Sequence, residues 1–444
     1  MTNGSADCLI QAWRFLATYD QEVFLVGGSV RQCLLDKPVK DFDFVVTKDA
    51  SKLAYRLSEY LSVPCFPLDK ERDMARVVLP EVSFDFASYG DDLMADLKQR
   101  DLCINAMACP VHLDLLLARE FKLARAKLEN ILIDPYGGRQ DLHSQVVRGI
   151  ESANFMADPL RLLRVYRFAA TLGFEIESET EGWVKQHSQL IQQVAGERIL
   201  QELGQILGCQ ASAKWVKRMQ LTGLLKGVLP LTVYPEQLDA YEKMSSDCPL
   251  FLSNNVLSYR QEPLASQRPR EFILKLAALI LSPISSVPIN MLGVQVDKLT
   301  LSRRELDVFF LWQRMIPTLE ALLRVSEQPV RRFHLYRQTQ AELYGLLLLA
   351  RTWLSQGWLS GHTDQAVANL ELFQTEWADP SNQTAHPDPL LDGRELMRAL
   401  QLQPGPLIGK LLLSVQEAQA DGRVNSRQQA LDYVQRLLAT DHLE

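Results

Sequence analysis

Val26-Gly27-Gly28-Ser29-Val30-Arg31, followed by Asp41-Phe42-Asp43-Phe44, is the stretch on which the fold of this chain turns. Residues 22–26 are β-prone, the two glycines punctuate them, and residues 29–35 read as the start of a helix. Residues 41–46 alternate carboxylate and apolar side chains, the pattern of a strand. Side chains two apart on a strand share a face, so Asp41 and Asp43 are expected side by side, with Phe42 and Phe44 turned into a core. Two like charges so placed repel unless a cation lies between them. An all-oxygen donor pair suits a hard divalent ion, Mg2+ above all where substrate phosphates complete the octahedron. By itself an Asp-x-Asp pair is as easily an exposed strand edge. The glycine turn adds a place where bare backbone meets a phosphate, with helix N–H donors and Arg31 nearby. Gly27, Gly28, Ser29 and Arg31 are therefore candidate nucleotide contacts, and Asp41 and Asp43 candidate metal ligands of a two-metal phosphoryl-transfer site. Asp85, within Ser83-Phe84-Asp85-Phe86-Ala87, is the candidate third carboxylate on a neighbouring strand.

Around this stretch, residues 75–79 and 82–88 predict a hairpin turning near Pro80-Glu81. After about residue 150 the apolar spacing becomes helical, over 159–172, 180–194, 197–207 and 214–229. Residues 245–269 read as loop-rich. Helical spacing returns at 271–281, 302–323, 331–354 and 364–377, and after a polar linker at 393–400, 406–421 and 426–440. The prediction is an α+β fold, a small mixed-sheet head with helices followed by an elongated all-α remainder.

The 444 residues suggest two to four domains at about 150 residues each. Apolar residues at 47% supply several cores, which excludes wholesale disorder. The seven cysteines show no C-x-x-C pair, against a zinc ribbon or a disulfide scaffold. No signal-peptide pattern or long apolar run appears, so a cytoplasmic protein is expected. The net charge of −7 argues mildly against non-specific nucleic-acid binding but leaves room for a local basic face.

Five blocks in order carry a resemblance. They are residues 27–43; Asp96-Leu97-Lys98-Gln99-Arg100-Asp101-Leu102-Cys103-Ile104-Asn105; Asp134-Pro135-Tyr136-Gly137-Gly138 running on to Arg148; Asp158-Pro159-Leu160-Arg161-Leu162-Leu163-Arg164-Val165-Tyr166-Arg167-Phe168; and Glu197-Arg198-Ile199 with Glu202-Leu203. The chain resembles the class II CCA-adding tRNA nucleotidyltransferases and bacterial poly(A) polymerases over roughly its first half. The resemblance implies a nucleotidyltransferase head (1–150), a helical neck that recognises the base (151–212), a helical body (213–378) and a tRNA-binding tail (379–444). It implies Mg2+ as cofactor, CTP and/or ATP and the tRNA 3′ end as partners, and no membrane or obligate protein partner. Arg100, Asp101 and Asn105 would contact sugar and triphosphate. Asp158 and Arg161, at i and i+3 on a helix, would read the base, with Arg164 extending or bracing the pair. Such a pair would accept C and A, each with an exocyclic amine beside a ring acceptor, and reject U and G.

The sequence departs from the family pattern at Gln32, Gln99, Leu102, Cys103 and Ala157. Residues 86–96 are also short for a member with a full mobile loop. In this family shortened loops go with enzymes that add only CC, although some A-adding and poly(A)-adding members are compact here too. The expectation is therefore a tRNA nucleotidyltransferase adding C and/or A, with a poly(A) polymerase and an inactive RNA-binding protein as alternatives. Lys214, Lys217 and Arg218 on one predicted helix, and Arg331 and Arg332 on another, are candidate phosphate contacts.

Overall fold

A computed structural model describes residues 3–117, 122–229, 233–265, 268–282, 299–325, 328–359 and 363–439. The chain divides into two compact units. One comprises Met1–Ile206 with Arg218–Val228, and the other Leu207–Lys217 with Leu229–Glu444. The expected head (1–150) and most of the expected neck (151–212) thus fall within a single unit.

The first unit opens with α1 (Asn3–Ala17), β1 (Phe24–Val26), α2 (Gly28–Leu34), β2 (Asp41–Val46), α3 (Ala50–Leu61), β3 (Cys65–Asp69), β4 (Met74–Val78), β5 (Ser83–Ser88), α4 (Leu93–Lys98) and β6 (Ala108–Pro110). The strands form one mixed sheet in the order β3-β4-β5-β2-β1-β6. β2 and β5 run parallel, with Phe42 beside Phe84, Asp43 beside Asp85 and Phe44 beside Phe86. The period-two alternation separates the two faces. Phe42, Phe44, Phe84 and Phe86 are fully buried on one face, where Trp13 of α1 meets Phe42 and Phe44 edge-on at 5.8 Å. Burying aromatics of this size supplies about 2–3 kcal/mol each, so this face anchors the strand that carries the carboxylates. On the other face Phe24, Val26, Val45 and Ala108 pack with Leu97 of α4. β3 was not anticipated. It is an edge strand without alternation, largely exposed and interrupted by Pro67, so no periodic signal marked it.

The unit continues with α5 (Arg125–Asn130), α6 (Gly138–Ser144), α7 (Ser152–Ala157), α8 (Leu160–Leu172), α9 (Ser178–His187) and α10 (Gly196–Leu207). The expected helix over 180–194 ends at His187 and tightens into a 3-10 segment, Ser188–Gln193.

The second unit is helical apart from one short hairpin, Pro263–Ala265 with Arg268–Pro269, among the described residues. Two expectations are corrected there. The loop-rich reading of 245–269 gives way to Pro235–Asp247, Pro249–Leu252 and Asn254–Gln261. The last two are too short for a helical period to register clearly, and Pro249 occupies a first-turn position, where a helix tolerates proline. The continuous helix expected over 331–354 is two helices, Pro329–Thr339 and Leu343–Ser355, because Gln340 turns to φ +47° between them. The final helices Gly393–Leu400, Pro406–Ala420 and Arg427–Ala439 enclose a small core of Leu396, Leu411, Val415, Ala430 and Val434. Asp392 and Glu395 form a capping box that starts this group. No helix among the described residues is long and apolar enough to cross a membrane.

Candidate active site

The site forms where β2 leaves the phenylalanine core. Asp41 and Asp43 lie on the face opposite the buried phenylalanines, Asp41 exposed and Asp43 half-buried. Ser83 donates to Asp41 Oδ1 at 2.6 Å. Burial, reinforced by the charges of Asp85 and Asp41, pushes the Asp43 carboxyl up to about 6 despite opposing Arg100 and Arg31. A carboxylate so crowded by its own sign is stabilised by a cation. Asp85 sits beside Asp43, but Arg76 on β4 grips both its oxygens at 2.6 Å. Among the described residues no set of three acidic, histidine or cysteine side chains stands ready to hold a metal. Asp41 and Asp43, together on one face of β2, are the pair that could hold a hard cation whose other ligands are phosphate oxygens and water.

Gly27 has φ +65°, and a Cβ there would come within 2.8 Å of Arg100 Nη1. Only glycine fits that turn, which brings bare backbone beside Asp43. Ser29 is fully buried. It accepts from the Asp43 N–H at 3.0 Å and donates to the Asp41 carbonyl at 3.1 Å. Expected to meet nucleotide, Ser29 instead ties the glycine turn to the carboxylate strand.

A cleft of about 460 Å³ opens from this turn. Gly27, Gly28, Asp43, Arg100 and Asn105 line its sheet end, and Asp158, Arg161, Arg164, Phe168 and Arg198 line its helical end. Arg31 bonds Asn105 Oδ1 and lies 4.7 Å over the Phe168 ring. Burial, with the like charges of Arg167 and Arg164, lowers its guanidinium to about 10. Crowded cations around a polar cleft call for an anion.

Asp101, expected to contact the ligand, lines the cleft and also braces its neighbours. It is buried and accepts from Arg164 Nε at 2.7 Å, Asn105 Nδ2 at 2.9 Å and the Leu102 N–H at 2.9 Å. Burial opposes its charge, yet Arg164 and the Asn105 bond hold its carboxyl below the usual range. Asn105 likewise joins Arg31 to Asp101. Asp158 is not on a helix with Arg161. It is extended, two residues ahead of α8, and its Oδ1 accepts from the Leu160 N–H at 3.3 Å as a cap would. Arg198 of α10 holds Asp158 Oδ2 at 3.0 Å, and Arg161 bonds the Asn154 carbonyl at 3.2 Å.

Residues 154, 167, 168, 198 and 202 were not read as parts of the site. Asn154 fixes the carbonyls of Lys98 and Arg100 at 2.8 Å each. Glu202 bonds Arg167 at 2.8 Å and Arg164 at 3.4 Å. Phe168 lies beneath Arg31, Arg164 and Arg167. For Arg167, Phe168, Arg198 and Glu202 the signal available was the fourth and fifth blocks themselves, where arginines recur at helical spacing and an acid follows on a later amphipathic helix.

The expected phosphate contacts fare unevenly. Arg332 is buried and bidentate on Glu376 at 2.9 and 3.0 Å, so it is a structural ion pair. Arg218 pairs with Glu175 and Glu181, and Lys217 with Asp239. Lys214 lies over the Trp215 ring at 4.6 Å, and Arg331 is exposed.

Family profiles match three segments. Residues 23–90 match "Poly A polymerase head domain", residues 173–234 "Probable RNA and SrmB-binding site of polymerase A", and residues 312–434 tRNA nucleotidyltransferase domain 2. A CC-adding tRNA nucleotidyltransferase of Geobacter sulfurreducens is 30% identical over 430 residues, 93% of this chain and 91% of the relative. An A-adding tRNA nucleotidyltransferase of Deinococcus radiodurans is 28% identical over 444 residues, 93% of this chain and 94% of the relative. The solved CCA-adding enzyme of Thermotoga maritima complexed with tRNA shares the fold, with a TM-score of 0.70 at 22% identity over 99% of this chain and 96% of that one.

Proposed function

The chain belongs to the class II CCA-adding tRNA nucleotidyltransferase family, and on that premise we propose that it extends the tRNA 3′ end by cytidines, using CTP and releasing pyrophosphate. One observation carries the choice of the CC step. β5 ends at Ser88 and α4 begins at Leu93, so residues 89–92 alone connect them. That connection is tied down. The Tyr89 and Gly90 N–H groups bond the Val46 and Thr47 carbonyls at 2.9 and 3.0 Å, and Asp92 caps Met94 at 2.8 Å. It leaves no mobile loop to swing against the base pocket, and in this family a shortened loop goes with enzymes that stop after CC, although some A-adding and poly(A)-adding members are compact here too.

In the proposed reaction the 3′-hydroxyl oxygen of the RNA attacks the α-phosphorus of CTP. The bond from that phosphorus to the oxygen bridging to the β-phosphate breaks, and the electron pair leaves with pyrophosphate. The hydroxyl proton passes to solvent. Arg31, Arg100, Arg164 and Arg167 hold the triphosphate and neutralise the charge that builds on the leaving group. Family members depend on a bound metal; Mg2+ held by Asp41 and Asp43 would lower the pKa of the attacking hydroxyl and screen the phosphates. Asp158, steadied by Arg198, accepts from the exocyclic amine of cytosine, and Arg161 donates to its ring acceptors.

The test supplies CTP or ATP separately to the protein with Mg2+ and three tRNAs, one lacking CCA, one ending in the first C and one ending in CC. CTP should enter the first two, and ATP should leave the third unextended. Addition of a single A to the CC end would favour the second reading, suggested by the Deinococcus relative. Long A-tracts would mean a poly(A) polymerase.

A further inference from the structure

Phe66, Arg76, Asp85, Asp43 and Val26 form one row across five strands, because their four pairings are in register. Residues opposite one another in a sheet point to the same face. The carboxylate row therefore continues past Asp85 onto β4 and β3. The nucleotide cleft lies entirely to the other side of Asp43. Its lining residues come from the β1 turn, β2, the segment after α4 and the helices, and none among the described residues comes from β3, β4 or β5.

Phosphoryl transfer sets the attacking and leaving oxygens roughly in line through phosphorus. With the triphosphate tail among the arginines on the β1 side, the attacking hydroxyl must arrive over β5 and β4. The surface there is specific in character. Phe66 is 52% exposed and Val78, on the same face of β4, is 37% exposed. Arg76 gives Nε and Nη2 to Asp85, which leaves Nη1 outside both bonds on a side chain 41% exposed. Exposed edge strands are usually blunted by charge. Here an aromatic ring sits beside a guanidinium, the pairing by which proteins hold single-stranded nucleic acid.

We propose that this open face is the subsite for the unpaired 3′ end of the acceptor RNA, with Phe66 stacking on a base and Arg76 Nη1 binding a backbone phosphate. The proposal rests on the nucleotidyltransferase reading above and adds where the acceptor lies. Three strand spacings separate Asp43 from Phe66, about 14 Å. At about 3.4 Å per stacked nucleotide, that span reaches back no more than about four nucleotides. The base on Phe66 is therefore upstream of the terminal one. Phe66 is a positioning residue: it sets where the end lies, not which nucleotide is added.

The test compares the full-length parent chain with Phe66→Ala and Phe66→Tyr. The acceptor is a tRNA lacking CCA with 2-aminopurine within its last four nucleotides. The parent and Phe66→Tyr should quench the probe, and Phe66→Ala should not. Phe66→Ala should raise KM for the RNA about tenfold, while kcat and KM for CTP stay within about twofold. An active parent with unchanged RNA KM and quenching in Phe66→Ala overturns the proposal. So does a change in sedimentation with unchanged RNA KM, which would give the face to a second copy of the chain. A parent that incorporates nothing into any RNA sinks the nucleotidyltransferase reading itself, a distinct failure.

Discussion

Asp101→Asn separates a residue that touches substrate from one that holds others in place. The substitution keeps the shape and can keep the Oδ1 acceptor for the Leu102 and Asn105 N–H groups. It turns an amide N–H2 towards Arg164 Nε, now 2.7 Å from a carboxylate oxygen, and removes the charge that balances the arginine cluster. Breaking a buried pair by altering one partner costs about 3–5 kcal/mol. Arg164 is 30% exposed and keeps Glu202 at 3.4 Å, so about 2–4 kcal/mol is expected here. Urea unfolding of Asp101→Asn, Arg164→Gln and the double variant would measure it. The double variant should lose little more than either single one, with a coupling of about 2 kcal/mol. The pH dependence has a definite sign. A carboxyl held low in the fold contributes stability present above its unfolded value of about 3.9 and lost as pH falls towards the folded value. That acid-side loss should be smaller in Asp101→Asn. A stability change within about 0.5 kcal/mol, or strictly additive singles, would refute the buttress role.

Asp43→Asn should abolish nucleotide incorporation while RNA binding by filter retention persists, and incorporation at the parent rate would remove Asp43 from the metal site. Arg161→Ala should lose discrimination against UTP more than it loses triphosphate affinity; if UTP stays as strongly excluded, Arg161 does not read the base. Arg332→Ala should destabilise the second unit by about 3 kcal/mol through the stranded Glu376, without altering the salt dependence of RNA binding. Arg331→Ala should leave stability unchanged and lower the salt slope by about 0.7–0.9 if it meets a phosphate.

Local signals along the chain determined much of this protein. β2 was legible because period-two alternation survives wherever one sheet face is buried, and the same alternation put Asp41 and Asp43 together opposite the phenylalanines. Helices such as α8 were legible because an apolar stripe repeats with the helical turn. β3 and the short helices after Asp247 were not, since an exposed edge and a helix of one or two turns carry no clear period. What each polar side chain does was decided only by tertiary structure. Asp101 and Ser29 carry the same groups as a ligand contact, and Arg332 looks no different from its neighbour Arg331. Their roles depend on which partner from a distant segment reaches them first: Arg164 for Asp101, the β2 backbone for Ser29, Glu376 for Arg332. A carboxylate or guanidinium commits to whatever opposite charge lies within about 3 Å once water is excluded. That proximity is set by folding across tens of residues, which no local pattern records.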